Sequence, residues 1–254
     1  MRKWPLLLVF AAATAVAGTP ATPFDATADS VPKGFRGLDC AAIVKAIKHQ
    51  APAKDEFEST DAYKARIAAV SSATLAPGLT LGDVLAIRVD PRAVSMEFDA
   101  DQQEATFSID RSNLVLAFSA DKQQLVPMVI ASQRVVQRRS YVGGNAFGAR
   151  TTVSASTSTG CGVAMANEAT NRMDYFTRAY AKLDPETARA EKGHVAAILV
   201  GKPAAPFYGS FTRYSGATID FPLESSIDGD AIFLDLTILY YDQRTGRVLA
   251  RTSK

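Results

Sequence analysis

The chain is poor in the residues from which compact catalytic and metal sites are most often built. Among 254 residues there are two cysteines, two histidines and one tryptophan. Cys40, Cys161, His49 and His194 stand far apart, with no C-x-x-C, H-x-x-x-H or H-E-x-x-H spacing, so no zinc site can be read from them. There is no G-x-S-x-G nucleophile turn. The one glycine-rich stretch, Gly143-Gly144-Asn145-Ala146-Phe147-Gly148, falls between two predicted strands. It therefore lacks the strand-to-helix geometry that aims backbone amides at a phosphate, and it reads as a turn. Asp220, Asp228 and Asp230 lack the spacing and terminal acid of a calcium loop. His194 has Asp184, Glu186 and Glu191 near it in sequence, but one histidine beside acids is not a catalytic constellation. The expectation is no catalytic, cofactor-binding or metal site.

An excess of charge of one sign is missing too. The first residues, Arg2 and Lys3, an apolar run from Leu6 to Val16 and the triplet Ala15-Val16-Ala17, read as a secretory signal over 1–17 with cleavage after Ala17. That run is too short to span a bilayer, and no later apolar stretch reaches spanning length, so no transmembrane segment is expected in the mature chain. Removing 1–17 takes Arg2 and Lys3 from the 28 basic residues and nothing from the 26 acidic ones, leaving 26 of each. A formally neutral chain argues against a nucleic-acid partner. Export also gives the cysteines an oxidising compartment, which predicts a Cys40 to Cys161 disulfide. Leu38-Asp39-Cys40 is not a lipobox, because Asp39 stands where a small residue is needed. The predicted location is periplasmic, with secretion as the alternative.

Residues 18–37, rich in Thr, Ala, Pro and Gly, read as a flexible spacer, followed by a single α+β domain over 38–254 with a sub-boundary allowed near 160–185. The helical spacing of Ala42, Ile43, Ala46 and Ile47 predicts a helix from Asp39 to Gln50. Ser59 or Thr60 caps a second helix carrying Tyr63, Ile67 and Val70. After Pro77-Gly78 the period becomes two: strands around Leu85 to Val89, Val94 to Phe98, Ala105 to Ile109 and Leu114 to Phe118 predict an antiparallel meander. Longer strands follow from Pro127 to Ser140 and from Ala149 to Thr157. A short helix opens at Asp184-Pro185-Glu186, strands are expected at His194 to Val200 and Arg247 to Ala250, and Ala231 to Tyr241 is the clearest strand of all. The fold class is α+β: short N-terminal helices, then a mainly antiparallel β-sheet or sandwich of eight to ten strands.

One segment stands out in charge. Asp121 to Arg150 carries Lys122, Arg134, Arg138, Arg139 and Arg150 against one acid. A regular strand puts Arg134 and Arg138 on one face and Arg139 with Tyr141 on the other. Arg134, Arg138, Arg139 and Tyr141 are the candidate partner-binding residues, set against the plainer reading of a strand edge kept from aggregating by its charges. From Ala217 to Gln243 the chain has Asp220, Glu224, Asp228, Asp230, Asp235 and Asp242 and no Lys or Arg, so the two regions can also face each other.

Glu56-Phe57-Glu58-Ser59-Thr60-Asp61-Ala62-Tyr63-Lys64-Ala65-Arg66 resembles an F-E-[ST]-T-x-x-Y-x-A-R segment near the start of uncharacterised exported proteobacterial proteins. Ser140-Tyr141-Val142-Gly143-Gly144-Asn145-Ala146-Phe147-Gly148-Ala149 resembles a second segment of that family, and the Thr245-Gly246-Arg247-Val248 ending a third. The resemblance implies a bacterial envelope setting and no reaction, substrate or cofactor. The expected function is a non-catalytic periplasmic or secreted binding or assembly module whose partner is a protein or another envelope component. A hydrolase acting on envelope material and a structural subunit of an envelope complex are the alternatives.

Overall fold

The structure, a computed structural model, describes residues 24–119, 125–166 and 176–252. The signal expected over 1–17 and the charges of Asp121 and Lys122 lie outside the described residues. In chain order come helices α1 (Cys40–Gln50) and α2 (Thr60–Ala69), then strands β1 (Thr74–Ala76), β2 (Leu79–Thr80), β3 (Leu85–Arg88), β4 (Val94–Asp99), β5 (Glu104–Ile109) and β6 (Leu114–Ser119). They are followed by β7 (Leu125–Gly144), β8 (Arg150–Met165), β9 (Ala179–Lys182), α3 (Pro185–Glu191), β10 (Val195–Gly201), β11 (Pro203–Ser215), β12 (Leu223–Leu234), β13 (Thr237–Asp242) and β14 (Val248–Arg251). The fold is β-rich and its pairing mostly antiparallel.

Asp39 starts α1 by accepting a hydrogen bond from the Ala42 amide at 2.9 Å, and Cys40, Ile43, Val44 and Ile47 form its buried stripe. Ser59 caps α2 in the same way through the Ala62 amide, at 3.1 Å. Among the described side chains of α2, Ile67 is the one that is buried. Tyr63 packs against the core beside Ile67, and Arg66 pairs with Glu58 at 2.8 Å and donates to the Pro52 carbonyl at 3.1 Å. The family-like segment around Glu58 and Arg66 is thus a structural latch.

A central sheet runs β14-β13-β10-β3. Every residue of β10 is buried, as it must be for a strand covered on both faces. One face packs Val195, Ala197, Leu199, Ile238 and Tyr240 toward α1 and the small sheet β4-β5-β9. The other face packs Ala196, Ile198, Val200, Leu239 and Tyr241 against Val31, with Phe24 and Phe35 at its margin. Residues 24–37 therefore differ from the spacer expected of them. Val31 is buried, its amide donates to the Gly246 carbonyl at 2.7 Å, and Leu38 bonds to Ala86 at 2.9 Å. The Thr, Ala, Pro and Gly content that suggested a linker belongs to an irregular segment supplying Phe24, Ala26, Val31 and Phe35 to the sheet.

The second body is a closed five-stranded barrel, β11-β12-β8-β7-β6, in which β8 and β12 are parallel and the other pairs antiparallel. Val115, Ala117, Met128, Ile130, Ala164, Phe211, Ile227, Ala231 and Phe233 fill it. Cys161 leaves β8 on the outside of this barrel and forms the disulfide with Cys40 at the start of α1.

Three expectations about strand order are corrected. Leu85 to Phe118 is no meander: β4 and β5 pair, but β3 joins β10 and β6 joins β7 and β11. Asp90 and Asp110 each cap a single 3-10 turn, whose amides bond to the Asp side chain, so these turns redirect the chain between sheets instead of folding it back. The run Ala231 to Tyr241 is two strands in two sheets, broken at Asp235, whose amide donates to the Lys202 carbonyl at 2.9 Å where the chains cross. Ile232, Leu234, Leu236, Ile238 and Tyr240 still share one core, so the alternation survives the break. Among the described residues fourteen strands form, where eight to ten were expected. Across the sub-boundary allowed near 160–185, β8 continues unbroken to Met165, while 167–175 lie outside the described residues.

Candidate functional site: a projecting basic arm

The barrel is short on one side. Among the described residues β6 pairs with β7 over Leu125 to Val129 and with β11 at Gly209 and Ser210. Past β6 the four strands β7-β8-β12-β11 run on as an open sheet, ending in the β7 to β8 turn at Asn145 to Ala149 and the loop from Gly216 to Pro222. Residues Ser132 to Val142 of β7 are exposed at every position, so both faces meet solvent. Among the described residues no strand pairs with the second edge of β7 from Ser132 onward.

Register decides where the arginines point. Pairing with β8 is interrupted between Ile130 and Ser132 and again between Val135 and Gln137. Each extra residue inverts the alternation. Arg134 stands opposite Thr159, and Arg138 opposite Ser156, which lie on opposite faces of β8. The expected pair of Arg134 with Arg138 is corrected: Val136, the bulged residue, places Arg134 on the outer face with Arg139 and Tyr141 and leaves Arg138 alone on the inner face, continuous with the barrel interior.

On the outer face Arg139 and Tyr141 have an internal partner. The Tyr141 hydroxyl donates to Glu224 at 2.8 Å, the Tyr214 hydroxyl at 3.2 Å, and Arg139 lies 3.4 Å from the same carboxylate with its guanidinium 5.7 Å from the Tyr141 ring centre. The Tyr141 hydrogen bond, opposed by partial desolvation and joined by those from Arg139 and Tyr214, holds the Glu224 carboxyl below its ordinary value. The same bond, desolvation and the charge of Glu224 raise the Tyr141 phenol. A group with a depressed folded-state pKa contributes stability above its ordinary value and loses it as pH falls through the depressed one. Tyr141→Phe with Tyr214→Phe is therefore expected to return Glu224 toward an ordinary glutamate titration, measured by carboxyl carbon NMR. An unchanged titration would show that the hydroxyls do not govern it.

The inner face is different. Arg138, Ser140, Ser154, Ser156, Leu223 and Ser225 line a cavity of about 640 Å³ at the barrel mouth. The one acid at its rim, Glu224, turns its carboxylate to the outer-face tyrosines. From Leu125 to Ala166 the chain has four arginines and no acid. Arg134 lines a second, outer cavity of about 690 Å³ beside Asp39, Asp228 and Asp230. Asp230 is paired there with Lys48 at 2.6 Å, and Asp228 accepts from Thr212 at 2.7 Å. Among the described residues no group of three metal-ligating side chains forms. The tip of the arm is apolar: Phe147 is 95% and Phe221 73% exposed, beside exposed Val142 and Leu223.

His49 and His194 are both exposed, and neither lines these cavities. The basic and acidic segments meet at Glu224, which Arg139 approaches, and again where Arg134 lines one cavity with Asp228 and Asp230; Asp230 is itself paired with Lys48, and Asp242 with Arg244 at 3.1 Å. Tyr214 is not legible in the sequence because Pro203, Pro206 and Gly209 mask β11 as loop. The alternation of Phe211, Arg213 and Ser215 against Thr212 and Tyr214 was the available signal. Among the described residues no helix is long and apolar enough to cross a membrane. No protein-family model, curated protein or solved structure matches the chain.

Proposed function

We propose that this chain is an exported, non-catalytic binding module of the bacterial cell envelope that engages its partner through the arm formed by β7, β8, β11 and β12. The observation that carries this reading is the free edge of β7, exposed on both faces from Ser132 to Val142 and flanked by arginines without acids of their own strand pair. Open sheet edges invite pairing with another chain, and folded proteins usually cover or shorten them. Here the edge is long and presented away from the core. The disulfide is in keeping with an oxidising compartment, and the resemblance to exported proteobacterial proteins supports the envelope setting, its second segment falling on the arm tip.

The test is recovery of crosslinked envelope partners, identified by mass spectrometry, with the native chain and with Arg134→Ala, Arg138→Ala. The double variant is expected to fold normally, because both side chains are exposed, and to lose most of its partner recovery together with the salt sensitivity of that recovery. Unchanged recovery and salt response would remove the arm as the binding surface.

A further inference from the structure

We propose, resting on the reading of the arm as a binding surface, that its occupant is an acidic, extended protein segment that adds as a strand to the free edge of β7 between Ser132 and Gly144. An edge strand offers every second N–H and C=O outward, and a stretch of chain lying alongside satisfies them. No proline interrupts β7 from Ser132 to Gly144, and Val135, Val136, Tyr141 and Val142 favour extended backbone.

Charge selects the occupant. Because the bulge at Val136 puts Arg134 on the outer face and Arg138 on the inner one, an added strand meets a guanidinium on each of its faces. Arg138 opens into the serine-lined cavity, where a carboxylate from the incoming segment finds both a guanidinium and hydroxyl donors. A second copy pairing through the same edge is disfavoured, since antiparallel self-pairing centred near Arg138 sets arginine against arginine. The same charges that block self-association match an acidic segment with carboxylates on both faces.

The probe is a fluorescein-labelled peptide of Glu-Val-Thr-Glu repeats long enough to span Ser132 to Gly144, compared with one carrying Lys for Glu and one carrying Pro for Thr. The glutamate peptide is expected to bind, more weakly as salt rises, and to slow hydrogen exchange within 132–144. The lysine and proline peptides are expected not to bind. Arg134→Glu with Arg138→Glu is expected to weaken binding roughly tenfold while leaving the melting curve of the protein in place. Equal binding of the proline peptide would overturn strand addition yet leave the arm a charged binding surface. Binding by none of the peptides, with envelope partners still recovered through the arm, would overturn the acidic segment as occupant. If phosphatidylglycerol vesicles instead protect the tip, 142–148 and 216–223, and the glutamate peptide leaves 132–141 unprotected, the occupant is a lipid surface and the proposal fails.

Discussion

Cys40→Ala with Cys161→Ala is expected to lower the free energy of unfolding by up to about 5 kcal/mol, the value that loop-closure entropy assigns to a crosslink spanning 121 residues. Residual structure in the unfolded chain reduces that figure, but the position of the bridge works in the other direction. It joins the first residue of α1 to the outside of β8 and so ties the barrel to the helix that covers the central core. Both cysteines are buried, so the double variant also leaves unfilled space at that junction. For a chain of this length the loss corresponds to a fall in melting temperature on the order of 10 °C. Thermal unfolding of the oxidised native chain and the variant measures it. A fall of only a degree or two would mean that the two bodies are held together by packing alone.

Local signals were read well where a single side chain decides the structure. Ser59, one of two expected caps, holds the start of α2 through one hydrogen bond from an amide three residues on, and the helix expected at Asp184 opens in the same way; Asp39, expected inside its helix, proves to be the cap of α1. The period-two runs likewise became strands. What sequence did not carry was which strand pairs with which. A turn of hairpin length at Asp90 or Asp110 looks the same whether it folds a strand back or sends it to another sheet, and the difference rests on contacts such as Asp90 to Ala131 that are distant in the chain. The site was half legible for the same reason. Arg134, Arg138, Arg139 and Tyr141 were found by charge, but their facing depended on a one-residue bulge, and periodicity assumes that no such bulge exists. Glu224, the partner of Tyr141, was visible only as one acid among six.

Gly209→Val is expected to cost about 3 kcal/mol or more and to open the barrel at its narrowest seam. Among the described residues β11 meets β6 at Gly209 and Ser210, and this contact closes the ring on that side. A Cβ at Gly209 would overlap the Phe118 carbonyl oxygen and stand 3.1 Å from the Phe233 ring. The obstacle is backbone held in a ladder, and it cannot turn aside as a flexible side chain can. Gly229 has the same constraint on the neighbouring strand, where a Cβ would overlap the Gly160 carbonyl oxygen and press on Phe211 at 2.7 Å. Small side chains at these crossings are what let five strands close around Phe211, Ile227 and Phe233. Gly216 in the arm loop is the control: a Cβ there meets Tyr214 no closer than 3.4 Å, and Gly216→Ala is expected to change stability by less than about 0.5 kcal/mol. Urea unfolding gives the two free energies, and hydrogen exchange locates the damage. Faster exchange is expected first in β6, because opening the seam leaves it paired to β7 alone. If Gly209→Val unfolds at the same urea concentration as the native chain, the backbone at this crossing yields, and the closed barrel does not depend on glycine.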